Sequence, residues 1–253
     1  MNTSNNVFPV IVCIIKTSIN IEEFVKYHLV LEFKHIYNNQ DVDTYLKILD
    51  KYLQFINISH IPVIIKNRRS IYYYKQYYNN YEKHITHVAH IDEFSLHKHA
   101  KITNFIIDYF IDDCSAIAIN GSFLSSGHNK YSSEPVTSRF TKYDINGDKH
   151  INTLCDIETT RMNHYDFVDL IQGHTKSTNG DIVNGLLIII QFDVNQLNHY
   201  KSKTFDEFKS IILKDDIGHT NNNQNKYDDV YNRFKLFDLN NVEDLTAKNL
   251  NLY

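Results

Sequence analysis

The chain has 253 residues, 42% of them hydrophobic and 22% charged, with a formal net charge of −4. That length and apolar share suffice for a folded core and exclude wholesale disorder. With no basic surplus to neutralise phosphates, a nucleic-acid binder is disfavoured. The three cysteines, Cys13, Cys114 and Cys155, are far apart and odd in number, which argues against a disulfide framework and for a reducing compartment. The seven glycines, three prolines and absent tryptophan accompany many Asn, Ile, Lys and Tyr residues. That skew suggests an AT-rich genome, of a large DNA virus or a protist.

The apolar run Val7 to Ile15 has no Lys or Arg before it and is too short to span a bilayer. It predicts a buried first strand from Phe8 to Ile15, in a cytoplasmic protein with no signal peptide or transmembrane segment. Asn20 is expected to cap a helix, with Glu23 completing a capping box. Ile21, Phe24, Val25 and Leu29 recur at helical spacing along its inner face. A strand is expected at Lys34 to Tyr37. Asp41 opens a second helix, with Val42, Tyr45, Leu46, Leu49 and Leu53 on one side. Ile61 to Lys66 reads as a strand with Pro62 near its start, Ser70 to His84 as a helix, and His87 to Ile91 as a fourth strand.

Four strand–helix alternations in the first hundred residues predict an α/β fold: a mostly parallel sheet with helices on both faces. Right-handed crossovers bring the strand carboxyl ends to one edge, where a nucleotide-sized crevice is expected. Beyond a helix at Lys101 to Phe110, the pattern changes. Ala116 to Asn120 reads as a strand, Phe140 to Leu154 as a hairpin turning at Asn146-Gly147, and Leu186 to Phe192 as an apolar strand. Thr204 to Leu213 and Tyr227 to Phe237 read as helices, joined by a mobile polar loop at Asn221-Asn222-Asn223-Gln224-Asn225. The expected organisation is a single domain over 1–253, with a mostly parallel nucleotide-type half at 1–115 and an antiparallel and helical half at 116–253.

Several segments, in order, carry a resemblance. They are Lys16-Thr17-Ser18 and Glu23-Phe24-Val25-Lys26-Tyr27-His28; then His90-Ile91-Asp92-Glu93-Phe94; then Asn120 with Ser125-Ser126-Gly127-His128; Arg139-Phe140; and Asn198-His199-Tyr200 with Lys203-Thr204 and Glu207-Phe208. Together they resemble the family-2-like and family-92-like glycosyltransferases of the GT-A fold, whose metal motif reads Asp-x-Asp-Glu-Phe. The resemblance implies sugar transfer from a nucleotide-sugar, a UDP-sugar being the commonest option, to a hydroxyl of a glycan or protein acceptor. It implies Mn²⁺ or Mg²⁺ bridging the diphosphate. Asp92 and His199 are the implied metal ligands, with His90 as a further candidate. Lys16, Asn38, Asn39, His90, Asp92 and Lys203 fall on the donor side, and Ser126, Gly127, His128 and Asn198 on the acceptor side or its loop. No catalytic base is identified, although Glu134 and Asp166 lie in the acceptor-side half.

The sequence departs from the family at three acidic positions. His90 replaces the first aspartate of the metal motif, Ser18 the glutamate of the Lys-Asn-Glu turn, and Ile36-Tyr37-Asn38-Asn39-Gln40 lacks the aspartate after the second strand. A catalytically inactive, glycosyltransferase-like binding protein is therefore the alternative.

Other chemistries fit less well. His84, His87 and His90 are spaced by three, but on a strand His87 and His90 point apart and no cysteine completes a zinc set. His97 and His99 read as solvated loop residues. Asp144, Asn146 and Asp148 mimic the start of a calcium loop, yet the glycine falls too early and the closing glutamate is missing. No Gly-x-Ser-x-Gly elbow supports a hydrolase.

Overall fold

The computed structural model describes residues 7–13, 20–38, 47–55, 57–60, 85–91, 94–97, 101–125, 130–146, 148–164, 167–184, 192–200, 203–215, 223–239 and 241–250. The chain forms two compact units. The first comprises Met1–Gly121 with Lys149–Leu197 and Leu252; the second comprises Ser122–Asp148 with Asn198–Asn251 and Tyr253.

The first unit is built on strands β1 (Pro9–Cys13), β2 (His35–Asn38), β3 (Asn57–His60) and β4 (His87–His90). β1 pairs in parallel with both β2 and β4, and β2 in parallel with β3, giving the order β3-β2-β1-β4. Consecutive residues on these strands are buried: Val10 and Ile11, His35 and Ile36, Val88 and Ala89. Burial of adjacent positions means that both faces of the sheet are covered, as a parallel sheet requires. The α/β expectation holds. The sheet is mixed, parallel at this end with antiparallel strands appended.

Helix α1 (Ile21–Val30) follows β1 as expected. Ile21, Phe24 and Val25 are buried, Leu29 is half-buried, and Tyr27 and His28 are sealed completely. His28 donates from Nδ1 to the Phe24 carbonyl at 2.9 Å and is ringed by Phe24, Tyr27 and Phe33. The capping box is absent. Asn20 lies in the left-handed region (φ 73°), makes no side-chain cap, and supplies only its carbonyl to the Phe24 N–H. An asparagine tolerates that conformation, but it turns the side chain away from the N2 and N3 amides.

Other boundaries shift. Of the second helix only residues 47–49 are described; they run into a 3₁₀ turn at Asp50–Tyr52, with Leu49 buried and Leu53 exposed. The third strand is Asn57–His60, ahead of the expected Ile61–Lys66, which lies outside the described residues together with the helix expected at Ser70–His84. The fourth strand is followed by β5 (Phe94–His97), so His97 belongs to a strand and not to a loop. Helix α2 (Ile102–Tyr109) agrees with the sequence and buries Ile102, Phe105 and Ile106.

Strand β6 (Cys114–Ser125) is more than twice the expected length. Antiparallel to β4 runs β8 (Asp148–Asp156), with Val88 opposite Cys155. The first-unit order continues β4-β8-β6. β11 (His174–Lys176) adds in parallel to β6, and β12 (Asn195–His199) pairs with β5 and β6. β9 (Thr160–His164) and β10 (Phe167–Leu170) form a separate antiparallel pair.

In the second unit, helix α3 (Val136–Arg139) leads into β7 (Lys142–Tyr143), which is antiparallel to the end of β6 at Leu124–Ser125 and to β13 (Val242–Glu243). The expected 140–154 hairpin is therefore corrected. A turn does lie at 144–146, where Asp144 Oδ1 accepts from the Asn146 backbone and side chain. The strands on its two sides do not pair with each other, because β6 lies between them. Helices α4 (Phe205–Asp215) and α5 (Asn223–Phe237) pack through Phe205, Phe208, Val230 and Phe234. Asn223, Gln224 and Asn225 are the first turn of α5, not the loop expected there. The strand expected at Leu186–Phe192 lies outside the described residues except for Phe192, which is in neither helix nor strand.

Candidate functional site

The strand order fixes one position in the first unit. The chain lays down β1, β2 and β3 in one direction and then returns to place β4 on the other side of β1. Ligands of open α/β sheets bind outside the strand carboxyl ends at such a reversal. Here it lies between Cys13 and His90, and the register draws the edge residue by residue. Cys13 is aligned with Asn38, Asn38 with His60, and Val12 with His90.

Two of the sequence-derived candidates, Asn38 and His90, thus share this edge. His60 joins them, missed because the third strand was sought a few residues later. Lys16, Asn39 and Asp92 follow β1, β2 and β4 in sequence but lie outside the described residues, as do Ser126, Gly127 and His128. Ile91, which links β4 to Asp92, is buried. Among the described residues no group of three or more His, Cys, Asp or Glu side chains gathers at a possible metal position.

Asn198 and His199 end β12; Asn198 is buried and His199 half-buried. Lys203 stands just before α4 with φ 47°. This left-handed conformation costs a lysine energy that a glycine would not spend. Among the described residues its ammonium group has no hydrogen-bond or ion-pair partner.

The next residue begins a network whose members stand in separate quoted segments of the sequence. Thr204 Oγ1 accepts the Glu207 N–H at 3.3 Å, and Glu207 Oε2 accepts the Thr204 N–H at 3.1 Å, a reciprocal capping box on α4. Glu207 also accepts two bonds from Arg139, Nη1 to Oε2 at 3.1 Å and Nη2 to Oε1 at 3.3 Å. Burial pushes the Glu207 carboxyl up, but the Arg139 and Thr204 hydrogen bonds outweigh it and leave it below its usual value. The Thr-x-x-Glu spacing was the signal available for the cap. The arginine partner, 68 positions away, had none.

Arg139 also donates from Nε to the Glu134 carbonyl at 2.8 Å and lies over the Phe140 ring. Arg139, Phe140 and Thr204 line a cavity of about 550 Å³ within the second unit, together with Lys130, Ser132, Glu134 and Ser138.

His87, Cys114, Cys155 and Ser125 are held in structural roles. His87 is buried against Phe110 at 4.5 Å, and desolvation lowers its pKa to about 4, so it is neutral at physiological pH. Burial raises the Cys114 and Cys155 thiols to about 11 and 12, out of the range of a nucleophile. Ser125 is buried and donates to Asp238 Oδ1.

No protein-family model matches the chain, and no curated protein matches it. Among solved structures, S. aureus TarS 1-349 matches at 12% identity with a TM-score of 0.41, over 91% of this chain and 71% of that one. At that TM-score the likeness is loose, and the reading of the site rests on the strand order and the residues themselves. No helix among the described residues is long and apolar enough to cross a membrane.

Proposed function

We propose that the chain is a GT-A-like glycosyltransferase that binds a nucleotide-sugar at the β1–β4 carboxyl edge and transfers the sugar to an acceptor hydroxyl. The observation that carries this reading is the reversal of strand order between β1 and β4, with Asp92 two residues beyond His90. Asp92 and His199 are the proposed protein ligands of a divalent cation, with His90 as a further candidate. A carboxylate, an imidazole and phosphate oxygens suit Mn²⁺ better than the harder Mg²⁺. Bound there, the cation would neutralise the diphosphate leaving group.

The chain's own residues divide the rest of the work. Lys203 supplies a positive charge to a phosphate oxygen. Lys16, Asn38 and Asn39, at the ends of β1 and β2, hold the nucleoside. Ser126, Gly127, His128 and Asn198 belong to the acceptor side. A UDP-sugar is the proposed donor, and a glycan or protein hydroxyl the acceptor.

A second reading, a non-catalytic protein on the same fold, is favoured by the loss of acid at Ser18, Asn38-Asn39-Gln40 and His90. Release of nucleotide from UDP- and GDP-sugars, measured in the natural chain and in His90→Asp, separates the two. Substantial release by the natural chain supports the enzyme and makes His90 a working replacement. Release that appears only in His90→Asp shows a decayed enzyme. Release in neither favours the binding protein.

A further inference from the structure

We infer that Arg139 is a positioning residue for Lys203: through Glu207 it fixes the peptide from which the lysine reaches the diphosphate. This deepens the donor-site reading above and rests on it.

Backbone conformation singles Lys203 out. Among the described residues four non-glycines have positive φ: Asn20, Glu32, Asp112 and Lys203. Asparagine and aspartate tolerate the left-handed region. Glu32 follows the C-terminal end of α1, where that conformation is a common helix stop; its N–H donates to the Leu29 carbonyl and the Phe33 N–H to the His28 carbonyl. Neither reason applies to Lys203, which precedes a helix and still lies at φ 47°. Such strain persists only where the surroundings over-determine it, and it gathers at functional sites.

The surroundings of Lys203 are built for that task. The N–H of Thr204 belongs to the peptide that follows Lys203, and it donates to Glu207 Oε2 at 3.1 Å. The Glu207 carboxylate therefore sets the plane of that peptide. The Thr204 hydroxyl donates to the same oxygen at 2.6 Å. Arg139 fixes the carboxylate in turn with its two-bond fork. Arg139 is itself held by Nε on the Glu134 carbonyl and by the Phe140 ring, whose centroid lies 4.6 Å from the guanidinium carbon. Its side chain is 5% exposed and its charge is committed to Glu207, so it acts on a phosphate only through Lys203. A lysine on its flexible stem reaches one phosphate oxygen at lower entropic cost when its backbone is fixed.

Calorimetric titration with UDP and GDP in the presence of Mn²⁺ tests the inference on the natural chain, Arg139→Lys, Lys203→Ala and the double variant. Arg139→Lys keeps the charge and loses the planar fork. Glu207→Gln, which keeps a capping amide, takes its place if Arg139→Lys does not fold. Lys203→Ala should weaken nucleotide binding about tenfold, the value of one charge-assisted hydrogen bond. Arg139→Lys should weaken it in the natural chain and add nothing in the Lys203→Ala background. A merely structural role would weaken both backgrounds by the same factor. Equal weakening in both, no weakening in either, or an unchanged affinity in Lys203→Ala overturns the positioning role while the donor site stands. Absence of Mn²⁺-dependent binding of either nucleotide by the natural chain overturns the donor-site reading, and the inference with it.

Discussion

Arg139 and Glu207, 68 positions apart, meet in a buried two-bond ion pair, with side chains only 5% and 11% exposed. Each belongs to a segment that drew notice for its sequence resemblance, and their meeting gives both a physical reason. Glu207 closes the cap of α4, and Arg139 holds Glu207 while bracing the chain at Glu134.

Removing either partner strands a buried charge. Arg139→Ala and Glu207→Ala should each lower stability by about 3–5 kcal/mol. The double variant should lose clearly less than the sum, because the coupling is removed once. Urea unfolding of the four proteins measures this; additive losses would contradict the pair.

The Glu207 carboxyl has a lowered pKa in the folded state, so its contribution is fully present above the ordinary carboxylate range and is lost as pH falls through and below it. His87 acts in a higher window. Its pKa falls from 6.5 to about 4 on burial, so the unfolded chain binds the extra proton between those values. Stability should therefore fall by about 3 kcal/mol as pH drops from 6.5 to 4. Melting temperatures across that range should decline in the natural chain and flatten in His87→Phe.

Gly173 adopts φ 71° where a Cβ would overlap Ser115 Oγ and the Asp113 carbonyl oxygen. Backbone cannot yield as a flexible side chain does. Gly173→Ala should cost roughly 2–4 kcal/mol from conformational strain and overlap. Gly180→Ala is the control: it shares a positive φ (86°) but has open space around its Cβ, and should cost less. Equal losses would show that overlap at Gly173 contributes nothing.

Lys203→Gly tests what the lysine is for. Relief of the left-handed strain offsets the entropy that glycine loses on folding, so stability should stay level or rise by up to about 1 kcal/mol. Nucleoside diphosphate affinity should fall at the same time. Unchanged affinity would remove Lys203 from the donor site.

The parallel half was legible because its signals are local. Apolar runs such as Val10-Ile11 and Val88-Ala89 read as strands buried on both faces, and the α1 periodicity read as a helix. Where local signals compete, the reading slipped. Asn20 looked like a cap but took a left-handed turn, while the true capping box sat at Thr204 and Glu207. The Phe140–Leu154 hairpin failed because the partners of β7 and β8 are chosen by the sheet and not by the turn between them. Of the site, Asn38 and His90 could be placed on one edge from strand order alone; His60 needed the register, and the Arg139–Glu207 pair needed the fold.

The proposed donor site at the β1–β4 edge would hold a nucleoside diphosphate through a cation on Asp92. A thermal-shift titration with UDP and with GDP, each with and without Mn²⁺, tests it most directly. A ligand that binds only the folded chain adds about 2.7 kcal/mol of apparent stability at a hundredfold excess over its dissociation constant. The melting temperature should rise with UDP only when Mn²⁺ is present, and the rise should disappear in Asp92→Ala. No shift with either nucleotide, or a shift indifferent to Mn²⁺ and to Asp92→Ala, would contradict it.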